Sequence, residues 1–237
     1  MKNRFLTLGL SGALLLLAAA ATAQTTPVSP AAYAGPRYPG GPDSLRVYLT
    51  RHALRQAGKG PVFVQFDVLP RESKYKPTLI LPPNRAALSS AMAAKALSTV
   101  TEMPAWTPGQ QDVEIPITTV TLCLTPASTA LAYADEMPVF PGLEPGIIGF
   151  YRFMPGIQVV TPEIIKRKLT GDVFVYFEVS DTGQLEKAQV IGGSEPALND
   201  AALRTVARLP TRATIPAQLH GRPVRVYYVL SIGFASD

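Results

Sequence analysis

The chain has 237 residues and a formal charge of +5, too mild an excess of basic residues to argue for nucleic acid. A single cysteine, Cys123, excludes an intramolecular disulfide, and two histidines, His52 and His220, give no set with metal-ligand spacing. With 47% hydrophobic residues against 16% charged, there is apolar material enough for packed cores.

Residues 1–23 read as an export leader. Lys2 and Arg4 supply a positive start, Phe5 to Ala20 is an apolar run, and Ala21-Thr22-Ala23 offers small residues for cleavage before Gln24. The alternative is an uncleaved anchor helix, because the apolar run approaches the roughly 18–20 residues that a membrane span needs. Cleavage leaves 214 residues and, with Lys2 and Arg4 gone, lowers the formal charge to +3. No later run is long enough to span, so the expected location is the periplasm, with an anchored protein facing the same compartment as the alternative.

Residues 24–37 form a Pro/Ala/Thr tether, after which the chain repeats itself. Gly60-Pro61-Val62-Phe63-Val64-Gln65-Phe66-Asp67-Val68 returns as Gly171-Asp172-Val173-Phe174-Val175-Tyr176-Phe177-Glu178-Val179. Tyr38-Pro39-Gly40 matches Phe140-Pro141-Gly142, Leu97 to Val100 matches Leu203 to Val206, and Met103-Pro104 matches Leu209-Pro210. A period near 100 is too long for a solenoid and suits two copies of a small domain. The expected division is a first domain at 38–125, a linker at 126–136 and a second domain at 137–235.

In the first domain the pattern predicts a helix over Pro42–Gln56, the Val/Phe strand, a turn over Pro70–Lys76, a helix through Leu97–Val100 and a last strand over Val113–Leu122 interrupted by Pro116. In the second, Thr161-Pro162-Glu163 is a helix start, with Thr as cap and Pro at the first helical position. Val173, Val175, Phe177 and Val179 then alternate with Phe174, Tyr176 and Glu178, the period of a half-buried strand. Ser180-Asp181-Thr182-Gly183 turns the chain and Leu185–Ile191 returns. A helix capped by Asn199 or Asp200 carries Leu198, Ala202, Leu203, Val206 and Leu209 on one side and stops at Pro210. The last strand, Val224 to Ile232, places Val224, Val226, Tyr228, Leu230 and Ile232 on one face and Arg225, Tyr227, Val229 and Ser231 on the other. Helix, strand, strand, helix, strand gives an α+β fold: two tandem small domains, each a three-stranded antiparallel sheet packed with two short helices.

The second domain resembles the C-terminal domain of TonB, the periplasmic energy transducer of Gram-negative bacteria. Met137 to Gly142, Thr161-Pro162-Glu163, Gly171 with its Val/Phe strand, Asp181-Thr182-Gly183, Leu198 to Pro210 and Gly221-Arg222-Pro223-Val224 carry the resemblance. In the first domain the family's most distinctive stretch is Met103-Pro104-Ala105-Trp106-Thr107-Pro108-Gly109. The second domain has Arg212 to Pro216 there, without Trp, and Ser231 where the family usually carries Pro. The 14-residue tether spans at most about 50 Å extended, against the long spacer of a full TonB.

No nucleophile, metal set or phosphate loop points to an enzyme or a cofactor. Gly192-Gly193-Ser194 reads as a strand-to-helix connection, and Cys123 as a small core residue. A three-stranded sheet offers instead an open edge, whose N–H and C=O groups can pair with an added strand. The resemblance implies this use of the last strand, so the candidate peptide-binding edge is Val224, Arg225, Val226, Tyr227, Tyr228, Val229, Leu230, Ser231 and Ile232. It holds no proline. Arg225, Tyr227 and Val229 are expected to face outward and read a peptide's side chains, so replacing Tyr227 should cost within about 0.5 kcal/mol. The expected partners are extended segments of outer-membrane receptors or other envelope proteins, in support of outer-membrane transport. An anchored energy transducer and a self-associating scaffold are the alternatives, and no small-molecule substrate is expected.

Overall fold

The computed structural model describes residues 31–54, 60–71, 75–83, 88–110, 114–125 and 129–235. The expected leader, the tether up to residue 30, part of the first hairpin turn and the start of the linker lie outside those residues.

A two-residue strand, β1 (Ala31–Ala32), precedes helix α1 (Gly41–Arg51). Pro42 and Asp43 open this helix, which suits its first turn, where no N–H is needed and an acid meets the positive end of the dipole. Strands β2 (Phe63–Asp67) and β3 (Thr78–Ile80) follow, then α2 (Ser90–Thr101), whose Ser89 side chain accepts from the Met92 N–H at 3.4 Å. Strand β4 (Thr119–Cys123) completes an antiparallel sheet in the order β3-β2-β4. It begins later than the sequence pattern suggested. Pro116 lies ahead of it, because a residue without an N–H does not extend the ladder, and pairing starts at Thr119 opposite Asp67.

The second half opens with β5 (Glu136–Met137) and then α3 (Ile147–Ile157), a helix the repeat did not announce. Gly149, Pro155 and Gly156 hide it from pattern reading, yet it buries Phe150 and Met154 and ends soon after Pro155. The short α4 (Pro162–Arg167) has the expected Thr161 cap, accepting from Ile164 N–H at 3.4 Å, and closes on Lys168 in the left-handed region. Strands β6 (Gly171–Val179) and β7 (Leu185–Gly192) form the expected hairpin. Helix α5 (Pro196–Val206) starts before Asn199 and Asp200: Pro196 fixes the first helical φ, and Glu195 takes the cap position without a side-chain bond. Strands β8 (Gln218–Leu219) and β9 (Arg222–Pro223) are short, and β10 (Val226–Phe234) is the last strand.

The second sheet runs β10-β6-β7, so in both halves the Val/Phe strand is central and the last strand forms an edge. A third, small sheet, β1-β5-β8-β9, ties the start of the described chain to the second half. Val64, Phe66, Val120 and Leu122 turn toward α1 and α2, while Val173, Val175, Phe177 and Val179 turn toward the helices of the second half. The opposite faces are not open to water. Phe63 and Ile80 of the first sheet meet Tyr176, Ile191, Tyr227 and Val229 of the second in a separate apolar layer. The Phe63 and Tyr176 rings lie 5.4 Å apart, and Tyr176 and Tyr227 lie 5.5 Å apart. The architecture is therefore helices, sheet, sheet, helices, with two sheets stacked back to back.

Trp106, from the most distinctive stretch of the first domain, is buried between the first half and the linker, edge-on to Tyr38 and Phe66 and tilted against Tyr133. Gly109, three residues on, allows backbone to approach backbone: a Cβ there would stand 2.7 Å from the Ala34 carbonyl oxygen and 2.8 Å from that of Ile117. Gly192 instead leaves room for side chains, where a Cβ would lie 2.5 Å from Cγ2 of Ile80 in the first sheet and 3.0 Å from Cδ2 of Phe174 on its own neighbouring strand. Gly192→Ala should therefore wedge the sheets and lower stability by about 1–3 kcal/mol, the usual cost of overpacking. Urea denaturation measures it, and a loss under 0.5 kcal/mol would mean that the sheets are not in firm contact.

Candidate functional site

Strand β10 pairs along its whole length with β6, from Val226 opposite Val179 to Phe234 opposite Gly171. Its other side is an edge. In an antiparallel pair alternate residues turn both backbone groups away from the partner, and Tyr227, whose N–H donates to the Leu131 carbonyl at 3.0 Å, shows that the odd-numbered residues do so here. Tyr227, Val229, Ser231 and Gly233 thus present the edge.

The edge is unevenly covered. At its start the linker lies alongside in parallel: Leu131 N–H donates to the Arg225 carbonyl at 2.9 Å, and Leu131 bridges Val226. Toward its end, the Ser231 N–H donates to the Tyr151 hydroxyl at 3.3 Å and the Gln158 amide donates to the Gly233 carbonyl at 2.9 Å. Between them, Val229 has no backbone partner on this side among the described residues. A cavity of about 410 Å³ borders this stretch, reaching across to Ile117 and Thr119–Thr121 of the first half and to Ile147 and Tyr151 of α3. Five tyrosines line it: Tyr33, Tyr133, Tyr151, Tyr227 and Tyr228. Tyrosine combines a large apolar face with a hydroxyl at low entropic cost, which suits a surface that takes up another chain.

The side chains of the candidate edge fall into three groups. Val226, Tyr228, Leu230 and Ile232 enter the helix-covered core, as alternation predicts. Val224, Arg225 and Ser231 are half-buried. Tyr227 and Val229 leave that core but are only 6% and 8% exposed, because the first sheet covers them. The reading that they stand free to touch a peptide's side chains is thus corrected, and so is the small cost expected for replacing Tyr227. Sequence alternation gave their direction. The signal for the cover was the second set of large residues on the opposite face, Phe63, Phe174 and Tyr176, which a water-exposed face would not carry.

Tyr227 has a definite task at this boundary. Its hydroxyl donates to the Thr121 carbonyl at 3.0 Å and accepts from the Cys123 N–H at 3.2 Å. Both belong to the outer side of β4, so one phenol occupies the edge of the first sheet where another strand would otherwise pair. Burial pushes the Tyr227 phenol well above the ordinary tyrosine range, with the nearby Cys123 thiol adding to it, and the hydroxyl remains a donor at any working pH. Desolvation likewise pushes the Cys123 thiol up, and the side chain, expected in the core, is partly buried against the layer between the sheets.

Arg225 is held as well. Its Nη1 donates to Glu178 Oε2 at 3.0 Å and to Glu186 Oε2 at 2.6 Å. Glu178 is 1% exposed and also accepts from the Tyr176 hydroxyl at 2.7 Å and from Lys187 Nζ. A carboxylate this buried needs such partners. His52 stacks on Tyr48 with centroids 4.3 Å apart, and His220 lies in a loop with its ring nitrogens 3.0 Å from Asp43 and 3.5 Å from Asp135. Among the described residues no cluster of His, Cys, Asp and Glu could hold a metal ion, and no helix is long and apolar enough to cross a membrane.

Residues 162–235, from α4 through β10, match a family model described as Gram-negative bacterial TonB protein C-terminal. No curated protein and no solved structure matches the chain.

The Tyr227 bonds give a test that needs no ligand. Tyr227→Phe keeps the ring but strands the Cys123 N–H and Thr121 carbonyl, and should cost about 1–3 kcal/mol. Tyr227→Ala should cost about 3–5 kcal/mol, as for other buried aromatics. Chemical denaturation distinguishes these from the small change of a surface site.

Proposed function

Because residues 162–235 belong to the TonB C-terminal family, we propose that this chain is a periplasmic TonB-like binding protein that captures extended peptide segments by strand addition at the outer edge of β10. The partners are envelope proteins, with outer-membrane receptors as the class the family points to, and the role is support of transport across the outer membrane. The activity is binding rather than catalysis. The two halves are two copies of one domain, a reading supported by the same central Val/Phe strand and the same strand order in each sheet.

The observation that carries this reading is the stretch of β10 around Val229. There a strand of the family's domain turns an N–H and a C=O toward a tyrosine-lined cavity, with no other strand alongside among the described residues. Added backbone hydrogen bonds supply affinity at such an edge, and flanking pockets select alternate side chains. The candidate residues of the last strand contribute in different ways. Val229 offers its outward backbone groups, the Ser231 N–H and Gly233 carbonyl become available once the Tyr151 hydroxyl and the Gln158 amide release them, and Val226, Tyr228, Leu230 and Ile232 hold the strand in place from the core.

The test is a proline at the open position. Val229→Pro removes an outward N–H that β6 does not use, at the kind of edge site where proline is tolerated. The variant should fold, by circular dichroism, and should bind synthetic peptides from the periplasmic N-terminal segments of outer-membrane receptors at least tenfold more weakly, about 1.4 kcal/mol. A folded variant that binds these peptides as the native protein does would reject the edge as the site.

A further inference from the structure

We infer that the linker segment Thr129–Ala132 is a resident strand mimic that occupies the first part of the β10 edge, so that a guest strand must displace Leu131 to pair along the whole of it; this rests on the strand-capture reading above. Leu131 does with its backbone what a guest would do. It donates to the Arg225 carbonyl at 2.9 Å and accepts from the Tyr227 N–H at 3.0 Å, in the parallel direction. Its side chain is 8% exposed and packs into the same core as Val226.

The segment is placed to let go. Cavities of about 540 and 410 Å³ flank it, and Ala132, Tyr133 and Tyr227 line both. A strap with space on either side has room to move, and the buried Leu131 side chain is what holds it. Its neighbours on the chain are fixed: the Leu124 N–H donates to the Val62 carbonyl, and the Tyr133 hydroxyl accepts from the Tyr38 N–H while its ring stacks on Tyr33 at 4.6 Å. Among the described residues, movement is thereby confined to Thr129–Ala132. The anchors belong to the first half, at β4 and at the segment leading into α1. The first half thus sets the fraction of molecules whose β10 edge is fully open, and apparent affinity scales with that fraction.

The experiment ties the strap down and then loosens it. Leu131 and Val226 are bridge partners in adjacent strands, about 4.8 Å apart across such a ladder, within reach of a disulfide. Leu131→Cys with Val226→Cys, in a Cys123→Ser background, gives a protein that can be oxidised or reduced. Leu131→Gly, made separately, removes the buried anchor and keeps the fold independent of the buried cysteine pair. Affinity for the same receptor-derived peptides is read by fluorescence anisotropy, with circular dichroism on every form. The oxidised pair should bind at least tenfold more weakly than the reduced pair, and Leu131→Gly severalfold to tenfold more tightly than the native protein. Equal affinity in the oxidised and reduced forms, with Leu131→Gly unchanged from native, would overturn the strap and leave strand capture standing. Absence of binding to every form, Leu131→Gly included, would overturn strand capture and the strap with it.

Discussion

One buried phenol joins the two sheets of this protein. Tyr227 stands on the last strand of the second sheet, and its hydroxyl meets the Thr121 carbonyl and the Cys123 N–H on the edge of the first. In an apolar layer between sheets an unmade hydrogen bond costs more than a made one gains. The contact therefore fixes where β10 lies against β4. That placement decides which part of β10 is sealed and which part is open. Below it, Gly192 lets Ile80 approach the return strand, and Phe63 packs on Tyr176, so that the two sheets form one continuous stack.

The stack divides the candidate edge into parts with different work. Side chains that alternation places toward the helices anchor the strand, and those placed on the other face are consumed in holding the first sheet. What remains for a guest is backbone. This is a sensible division for strand addition, which takes its affinity from main-chain groups and needs side-chain selectivity only from the walls beside the edge. Those walls are the tyrosine-lined cavity on one side and the linker on the other. The charged network of Glu178, Arg225, Glu186 and Lys187 lies beside Tyr227, whose partner across the β6–β10 ladder is Glu178, and there a lone buried carboxylate would oppose folding.

Much of this was legible in the residues. The period-two pattern of Val173 to Val179 gave the faces of the central strand, Thr161 and Pro162 gave a helix start, and Asp181-Thr182-Gly183 gave the hairpin. The repeat of Gly60–Val68 at Gly171–Val179 placed the second central strand before any coordinates did. Three things were not legible, each for a physical reason. Helix α3 carries Gly149, Pro155 and Gly156, which local propensity counts against a helix, while tertiary burial of Phe150 and Met154 decides for it. The start of α5 was misplaced because Asn199 and Asp200 look like caps, whereas Pro196 sets the first turn without one. The cover over Tyr227 and Val229 depends on first-sheet residues about 100 to 165 positions away in sequence, from Cys123 back to Phe63, and alternation within one strand reports a direction and not what lies there.

The account stands on Val229 presenting an open backbone edge. Amide hydrogen exchange at that one residue, with and without a receptor-derived peptide, tests it most directly. The Val229 amide should exchange quickly in the free protein, unlike its neighbours Tyr228 and Leu230, which pair with β6, and should become protected when peptide is added. A Val229 amide already as protected as its neighbours in the free protein, or one that peptide leaves unchanged, would contradict it.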